Sequence, residues 1–408
     1  MKRNVLTLIL LMTFILNFSN VNAKEEEKYL DKNSIKILAE YHINEYLERE
    51  LNEEIIISDN EILLDDVTGK EIAYLVPFAN EKGEQKGFMI IDSRINGYGV
   101  CEVNYNVEEL DNILEKSKNE KLVYIFPNRI KTETEIKLKM KESSENKNIE
   151  KYILPESSAL NIVDNIKIQS RKLNLINNNI NKNIVTTDST HEIVMLSGNP
   201  DLTFVPIKDG SKTYYGCNQA WFSSELGNEQ GCGTAAAANI AYHMAAYVQG
   251  CSNLYKYSTS ILDRPYFINH MEDVYDYVTP HTGILPGIPG VNDIKNKFLE
   301  YARSKNVYLY ARIYDNPSYL DNIDKTSNFI KEGLSIDSPV AMMQHDDDDF
   351  TGDLNHFNWH WTTITKYFRN NATDDRFIAI SSWGERYSFN LKLLVDAYPN
   401  TYIYFKKV

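Results

Sequence analysis

The order of apolar and polar positions along the chain predicts a first small unit of mixed α and β structure. In "KNSIKILAEYHINEYLERELN" the apolar residues recur at helical spacing, with Asn33 or Ser34 as the expected N-cap. Two apolar runs, "EIAYLVPF" and "KGFMIIDS", flank the turn "ANEKGEQ" and predict a β-hairpin, and "GYGVCEVNY" predicts a further strand. We therefore expect a small α+β unit over residues 24–140.

A polar stretch follows this unit. "KESSENKNIEKY" and "NLINNNINKNI" are rich in Asn and Lys and poor in aromatic residues, which is typical of an exposed connector. We predict a linker or processing region over residues 141–200. Aromatic residues and apolar runs then return, so a second unit is expected over residues 201–408. Within it "CGTAAAANIAYHMAAY" predicts a helix, and "HWTTITKYF" and "FIAIS" predict two antiparallel strands joined by "RNNATDD".

The first residues have the pattern of a secretory signal. A basic start, "MKR", precedes the apolar run "VLTLILLMTFILNF", and small residues stand at Val21 and Ala23 before the polar "KEEEK". The run is too short for a spanning helix. We predict a signal peptide over residues 1–23, cleaved after Ala23, with an uncleaved anchor as the alternative. The mature protein would have no transmembrane segment and would be secreted, either free or associated with the cell wall.

Composition narrows the possible partners and the redox chemistry. The 408 residues carry a formal net charge of −14, which argues against nucleic acid or an anionic membrane as a main partner. Four cysteines are too few for a disulfide scaffold of this size. If Cys232 is a free thiol, one pair among Cys101, Cys217 and Cys251 could still form a disulfide, and the sequence does not say which.

The stretch "NEQGCGTAAAANIAYHMAAY" places Cys232 between two glycines at the start of the predicted helix. A helix N-terminus carries roughly half a positive charge, which favours thiolate over thiol. Gly231 and Gly233 would allow a tight turn and leave the sulfur unobstructed. The alternative is that Cys232 is a small buried apolar residue, as most lone cysteines are.

A thiolate nucleophile requires a base, and the second unit contains candidates. His360 begins the predicted strand "HWTTITKYF", where a rigid backbone can aim an imidazole at a helix end. His345 and His356 are rivals in an Asp-rich stretch that is predicted to be a loop. The hairpin would bring Ser381 close to His360, and Trp383 would cover their contact.

Together these motifs resemble the papain-like cysteine peptidases. The nucleophile-to-His separation is 128 residues, close to the roughly 130–150 of the papain signature, and "SSWG" resembles the family's Asn-Ser-Trp-Gly. "GCGTAAAANI" is more similar to bacterial papain-like peptidases that process double-glycine leaders than to plant papain, and residues 24–140 are weakly similar to streptopain-type pro-domains. The resemblance implies an α+β fold: a papain-like two-lobed domain, with a central-helix lobe and an antiparallel β lobe, after a small α+β pro-domain.

The resemblance also implies roles for individual residues. Cys232 matches the nucleophile and His360 the general base and acid. Ser381 stands where the family has its orienting Asn, which is a departure. Gln219 is the favoured oxyanion-hole donor beside the backbone N–H of Cys232, with Gln230 as the alternative. No metal or cofactor is implied; the expected partners are a peptide or protein substrate and the chain's own pro-domain in cis.

These observations predict a secreted bacterial cysteine peptidase made as a zymogen, which hydrolyses peptide bonds through a thioester intermediate. Because of Ser381, a catalytically weakened or inactive papain-like surface-binding module is an alternative. An amidase or transpeptidase acting on cell-wall peptides would use the same residues. A calcium loop at "HDDDDFTGD" and a zinc site at His356 and His360 are disfavoured, because neither has the expected ligand spacing.

Overall fold

The computed structural model describes most of both predicted units, over residues 29–58, 60–142, 152–155, 191–282, 287–288, 290–316, 323–344 and 359–408. The predicted signal peptide, the acidic loop with His345 and His356, and most of the predicted linker lie outside these residues. Among the described residues no helix is both long and apolar enough to cross a membrane.

The first unit begins with helix α1 (Lys32–His42), which continues through a π-helical turn, Ile43–Leu47, into the short helix Glu48–Leu51. Asp31 is the N-cap rather than Asn33 or Ser34, and its carboxylate accepts the backbone N–H of Ser34 at 2.8 Å. The elements that follow are β1 (Ile55–Ile57), β2 (Ile62–Asp65), β3 (Glu71–Asn80), β4 (Gln85–Asp92), β5 (Val100–Asn104), α2 (Val107–Ser117), β6 (Leu122–Ile125), β7 (Arg129–Thr132) and α3 (Glu133–Glu142).

The second unit packs helices against a set of long strands. Its elements are β8 (His191–Met195), β9 (Pro206–Asp209), β10 (Lys212–Tyr215), α4 (Glu225–Gln230), α5 (Cys232–Tyr247), α6 (Arg264–Tyr275), α7 (Val291–Ser304), β11 (Leu309–Asn316), α8 (Ile323–Leu334), β12 (Val340–Gln344), β13 (His360–Asn370), β14 (Asp375–Ser382), β15 (Glu385–Asn390), α9 (Leu391–Ala397) and β16 (Asn400–Lys407).

Strands from both predicted units form one sheet. Within the described ranges its order is β11-β16-β12-β13-β14-β15-β5-β4-β3-β2-β6-β7, with β1 beside β3 and β8 beside β13. The pairs are antiparallel except for β2 with β6. The predicted hairpin of β3 and β4 and that of β13 and β14 are both confirmed. The chain is therefore a mixed α+β protein with a large, mostly antiparallel sheet.

The hydrophobic core is also shared between the two units. One cluster of buried side chains runs from Leu64 in β2 to Phe405 in β16. On the other side, the π-helical turn after α1 buries Tyr46 against Phe368 and Phe377 of the second unit. Because apolar burial is the main driving force for folding, the two units stabilise each other.

The linker predicted over residues 141–200 is wrong at its C-terminal end. Residues His191–Met195 form β8, which pairs with β13. "HEIVM" is only five residues long and lies beside a polar stretch, so its alternation is a weak signal. Residues 152–155 are held by the first unit, since the Arg94 guanidinium donates to the carbonyls of Leu154 and Pro155, both at 2.9 Å.

Glu102 is a buried carboxyl group on β5, where the two units meet. Its side chain is 1% exposed, and it accepts the backbone N–H of Asn128 at 2.9 Å and 3.1 Å. Burial raises the pKa of Glu102 to about 8, although the hydrogen bond from Asn128 acts in the opposite direction. Because burial disfavours the ionised form, the folded protein keeps this carboxyl protonated at neutral pH.

We predict that Glu102→Gln makes the protein more resistant to rising pH. The ordinary Glu pKa is 4.5, so between pH 4.5 and 8 the unfolded chain releases a proton that the folded chain keeps. The parent should lose roughly 1.4 kcal/mol of unfolding free energy per pH unit in this window relative to the variant. Urea unfolding at a series of pH values measures the difference. Glu120→Gln, at an exposed position, should follow the parent, and a pH-independent difference for Glu102→Gln would contradict the prediction.

Candidate active site

Cys232 is the first residue of α5, as the sequence predicted. Gly231 is the N-cap, and every side chain from Ala235 to Ala245 is buried. The alanines allow this helix to lie against β13 and α6 in the interior. Cys232 itself is only partly buried, so its sulfur lies at the boundary between the core and the surface.

The two glycines beside Cys232 are required by close packing rather than by an unusual turn. Gly231 has a φ of −88°, which any residue can adopt. A Cβ atom there would lie 2.2 Å from the carbonyl oxygen of Gly227 and 2.7 Å from the Phe222 ring. A Cβ atom at Gly233 would lie 2.9 Å from the Ile288 side chain. The helix start is thus pressed against its neighbours most closely at Gly231, where the nearest atom belongs to the backbone, whereas at Gly233 the nearest atom is the Cδ1 end of the Ile288 side chain.

His360 is the first residue of β13, also as predicted. Its ring is stacked on the Trp383 ring, with centroids 4.0 Å apart and an interplanar angle of 13°. The Nε2 atom lies 2.7 Å from the Ser382 hydroxyl oxygen. The imidazole is 7% exposed. Its orientation is therefore fixed by an aromatic face and a hydroxyl group.

The hydroxyl that contacts the imidazole belongs to Ser382, and the predicted contact of Ser381 with His360 is wrong. Ser381 instead donates to the carbonyl of Tyr215 at 2.6 Å. The reason is strand alternation: Thr363 pairs with Ser381, so Ser381 shares a face with Thr363, and Ser382 shares the other face with His360. The candidate orienting residue was missed because the sequence does not reveal the register of the hairpin.

Trp383 adopts a left-handed backbone conformation, with a φ of 50°. This region is unfavourable for bulky residues. The side chain of Asn218 donates to the Trp383 carbonyl at 2.9 Å, which fixes the turn that presents the indole to His360. Trp383 was predicted to cover a contact between Ser381 and His360, and it instead stacks on His360, whose hydroxyl partner is Ser382. The part played by Asn218 was not predicted.

The pKa of the Cys232 thiol differs from the prediction. Burial raises this pKa above its ordinary value, whereas the backbone N–H groups of Trp361, Gly233 and Cys232 act to lower it. Desolvation therefore outweighs these backbone N–H groups, and the pKa of the thiol lies above its ordinary value rather than below it. The N–H of Trp361 is a contribution that the sequence did not indicate, and it comes from the residue after His360.

Gln219 and Gln230 occupy different positions. Gln219 lies in a 3₁₀ turn and lines the same pocket as Cys232, whereas the lining of that pocket does not include Gln230, the last residue of α4. The Gln219 amide nitrogen donates to the carbonyls of Asn228 at 2.9 Å and Glu229 at 3.3 Å. Its Oε1 is buried and has no hydrogen-bond partner among the residues that the structure describes. In this conformation Gln219 is near the site, but its donor group is already engaged.

The candidate site residues line one small pocket. Its lining includes Cys217, Gln219, Cys232, Ala235, Ala236, Asn239, His360, Trp361, Thr363, Ser381, Ser382 and Trp383. All four cysteines have free thiols, so the disulfide left open by the sequence is not formed. Over the described ranges no group of His, Cys, Asp and Glu side chains has the arrangement of a metal site. His356 and the acidic loop lie outside those ranges.

Comparisons with known proteins provide little information about this site. No family model matches the chain, and no curated protein matches it. Among solved structures, a fragment of Prevotella intermedia prointerpain A matches with 9% sequence identity, over 84% of this chain and 98% of that one, with a TM-score of 0.32. Because that TM-score is low, the site's own residues must support any proposal on function.

Proposed function

We propose that the protein is a cysteine peptidase with Cys232 as nucleophile and His360 as general base and acid. The observation that supports this is their shared pocket: a thiol at the first turn of a buried helix and an imidazole fixed by Ser382 and Trp383. A nucleophile, a base and a group that orients the base are the minimum set for acyl transfer. A two-lobed papain-like arrangement is part of the proposal.

The raised pKa of Cys232 suggests how the first step proceeds. The resting thiol transfers its proton to His360 as the sulfur attacks the peptide carbonyl carbon, so a stable thiolate–imidazolium pair is not required beforehand. The backbone N–H of Cys232 stabilises the oxyanion. His360 then protonates the leaving amine, and a thioester remains on Cys232. Water, deprotonated by His360, hydrolyses that thioester, and the thiol takes back a proton.

The wider parts of the proposal concern secretion and zymogen formation. A signal over residues 1–23 would send the chain out of a bacterial cell, and residues 24–140 would act as a pro-domain in cis. The residues that line the pocket all lie between positions 217 and 383. For the first unit to inhibit the peptidase, it would have to contact the pocket through residues other than those that the structure describes. Comparing the activity of full-length and processed protein tests this part.

We predict that Ser382→Ala lowers kcat/KM about tenfold to a hundredfold, because the imidazole loses its orienting hydroxyl. Ser381→Ala removes a similar hydroxyl from the opposite face of β14 and should leave kcat/KM within about threefold of the parent. Peptidase kinetics over a range of pH measure both effects, and Ser382→Ala should also alter the pH profile. Equal losses in the two variants would contradict the assignment of Ser382.

The proposed function is tested most directly by thiol reactivity. Cys101, Cys217 and Cys251 are buried, whereas Cys232 is partly exposed. Iodoacetamide and an epoxide inhibitor of thiol peptidases should therefore modify Cys232 first, as read by peptide mass spectrometry. His360→Ala should slow the epoxide reaction strongly. It should slow the iodoacetamide reaction far less when that reaction is run above pH 9, because the thiol then needs less help from a base to lose its proton. Failure of both reagents to modify Cys232 in the folded protein would rule out the peptidase proposal.

A second candidate function is a catalytically weakened papain-like module that binds peptides. Two observations favour it: burial raises the pKa of Cys232, and the Gln219 amide nitrogen is engaged by backbone carbonyls. Such a protein would bind peptides without turnover. A peptide library assay distinguishes the two functions, since hydrolysis at any bond supports the peptidase and saturable binding without cleavage supports the module. An amidase or transpeptidase would instead act on cell-wall peptides.

A further inference from the structure

We propose that the first unit, residues 29–142, is a permanent subunit of this protein and stays bound to residues 191–408 after the chain between them is cut. The inference extends the proposed zymogen, in which the first unit would be a pro-domain. It concerns the interface between the first unit and residues 191–408, which differs from that of a pro-domain that only covers a cleft and then dissociates.

Backbone pairing is the first part of this interface. Strand β5 of the first unit pairs with β15 of the second through Asn104 with Tyr387, Val103 with Ser388 and Glu102 with Phe389. On its other edge β15 pairs with β14. Removal of the first unit would convert β15 into an open edge, with unpaired N–H and C=O groups that invite aggregation.

Side-chain hydrogen bonds extend the interface beyond β15. The Tyr398 hydroxyl donates to the Phe126 carbonyl at 2.6 Å, and the Asn390 amide donates to the Val100 carbonyl at 3.1 Å. Others join Tyr46 to Ser388 at 3.0 Å, Asn370 to Tyr41 at 2.7 Å and Tyr98 to Asp396 at 2.6 Å. Most of these groups are buried, so each would lack a partner if the units separated, which is costly.

Helix α1 and the π-helical turn that continues it add an apolar contact on the opposite face of the sheet. The Tyr46 ring lies 4.9 Å from the Phe368 ring and 5.4 Å from the Phe377 ring, and His42 lies 4.7 Å from Phe377. Phe368 and Phe377 are each 3% exposed. Without α1 they would form an exposed aromatic patch, of the kind that marks an interface rather than a free surface.

The position of the interface also links it to the site. Strand β15 begins at Glu385, two residues after Trp383, and Glu385 pairs with Ser382. The first unit therefore supports β15. This strand follows closely after Ser382, which carries the orienting hydroxyl, and Trp383, which carries the indole. Since the first unit contributes no residue to the pocket lining, a cut chain can keep both its subunit and an open site.

The test uses the full-length protein with Cys232→Ala, so that its own activity plays no part. A recognition sequence for a site-specific protease is inserted between Asn178 and Asn179, and the purified protein is cut. Size-exclusion chromatography in native buffer should give one peak that contains both fragments in equal amounts, and denaturant should separate them. Native elution of the fragments as two peaks would overturn the proposal.

A matched pair of variants tests the interface itself. Tyr398→Phe removes the hydroxyl that donates to Phe126 and should raise the dissociation constant of the cut fragments about tenfold. Tyr308→Phe, at a position 58% exposed, should leave it unchanged. Equal constants would contradict the proposed contact. The same cut in protein with Cys232 present should preserve reactivity of that thiol. If the thiol lost its reactivity while the fragments stayed together, the inference that the cut protein keeps a working site would be wrong. The inference that the first unit stays bound would still hold.

Discussion

Replacing Cys232 by alanine is expected to lower peptide hydrolysis at least about a thousandfold, to the limit of detection. The thiol is the group at the first turn of α5 that would form the acyl intermediate, because the hydroxyl of Thr234 in the same turn is buried and donates to the Val278 carbonyl. The backbone N–H that would hold the oxyanion survives the change, but no nucleophile remains. Hydrolysis of a quenched fluorescent peptide library measures the effect.

Cys217→Ala is the matched control, because this thiol lines the same pocket but donates to the Ala235 carbonyl. Its activity should stay within a few fold of the parent. Circular dichroism and thermal unfolding of both variants should resemble those of the parent. If Cys232→Ala hydrolysed peptides normally, the role given to this residue would be wrong, whatever the rest of the pocket contributes.

Gly231→Ala is expected to destabilise the protein by about 3 kcal/mol or more. The added methyl group would lie 2.2 Å from the carbonyl oxygen of Gly227, a backbone atom, and 2.7 Å from the Phe222 ring. The Gly227 carbonyl is part of α4, so it cannot move aside without shifting α4 relative to α5. The start of α5, and with it Cys232, should be displaced, so activity should fall together with stability. Urea unfolding and peptidase kinetics measure the two effects.

Gly290→Ala provides the control for this prediction. Gly290 is also the N-cap of a helix, but a Cβ atom there meets no atom of the described ranges within 4 Å. Its φ of −152° is open to any residue. We expect a change of no more than about 0.5 kcal/mol. If the Gly231→Ala protein were as stable as the Gly290→Ala protein, the prediction would be wrong. The backbone around Cys232 could then shift to accommodate the methyl group at little cost in stability.

The parts of the site that the sequence predicted were those that local composition determines. The alanine-rich run placed Cys232 at a helix start, and the β-branched run placed His360 at a strand start. Alanine favours helix and β-branched residues favour strand wherever they lie in the fold. The β3–β4 hairpin was predicted for the same reason.

The parts that the sequence did not predict depend on contacts between distant elements. The choice between Ser381 and Ser382 depends on the register of β13 against β14, and both residues have the same side chain. The helix field at Cys232 was predictable, but the desolvation that raises the pKa of its thiol required knowledge of what packs around the sulfur. Likewise, the amide of Gln219 binds carbonyls of α4 that only the folded chain brings near.

The continuous sheet imposes an order on how the protein can fold. The hydroxyl groups of Tyr105 and Ser388 lie 3.5 Å apart although 283 residues separate them in the chain. During synthesis β5 is made long before β15. The edge of β5 that pairs with β15 therefore stays unpaired until almost the whole chain has been made. Such non-local pairing is slow and leaves strand edges open to wrong partners. A chain of this design should therefore depend on folding helpers wherever it is made.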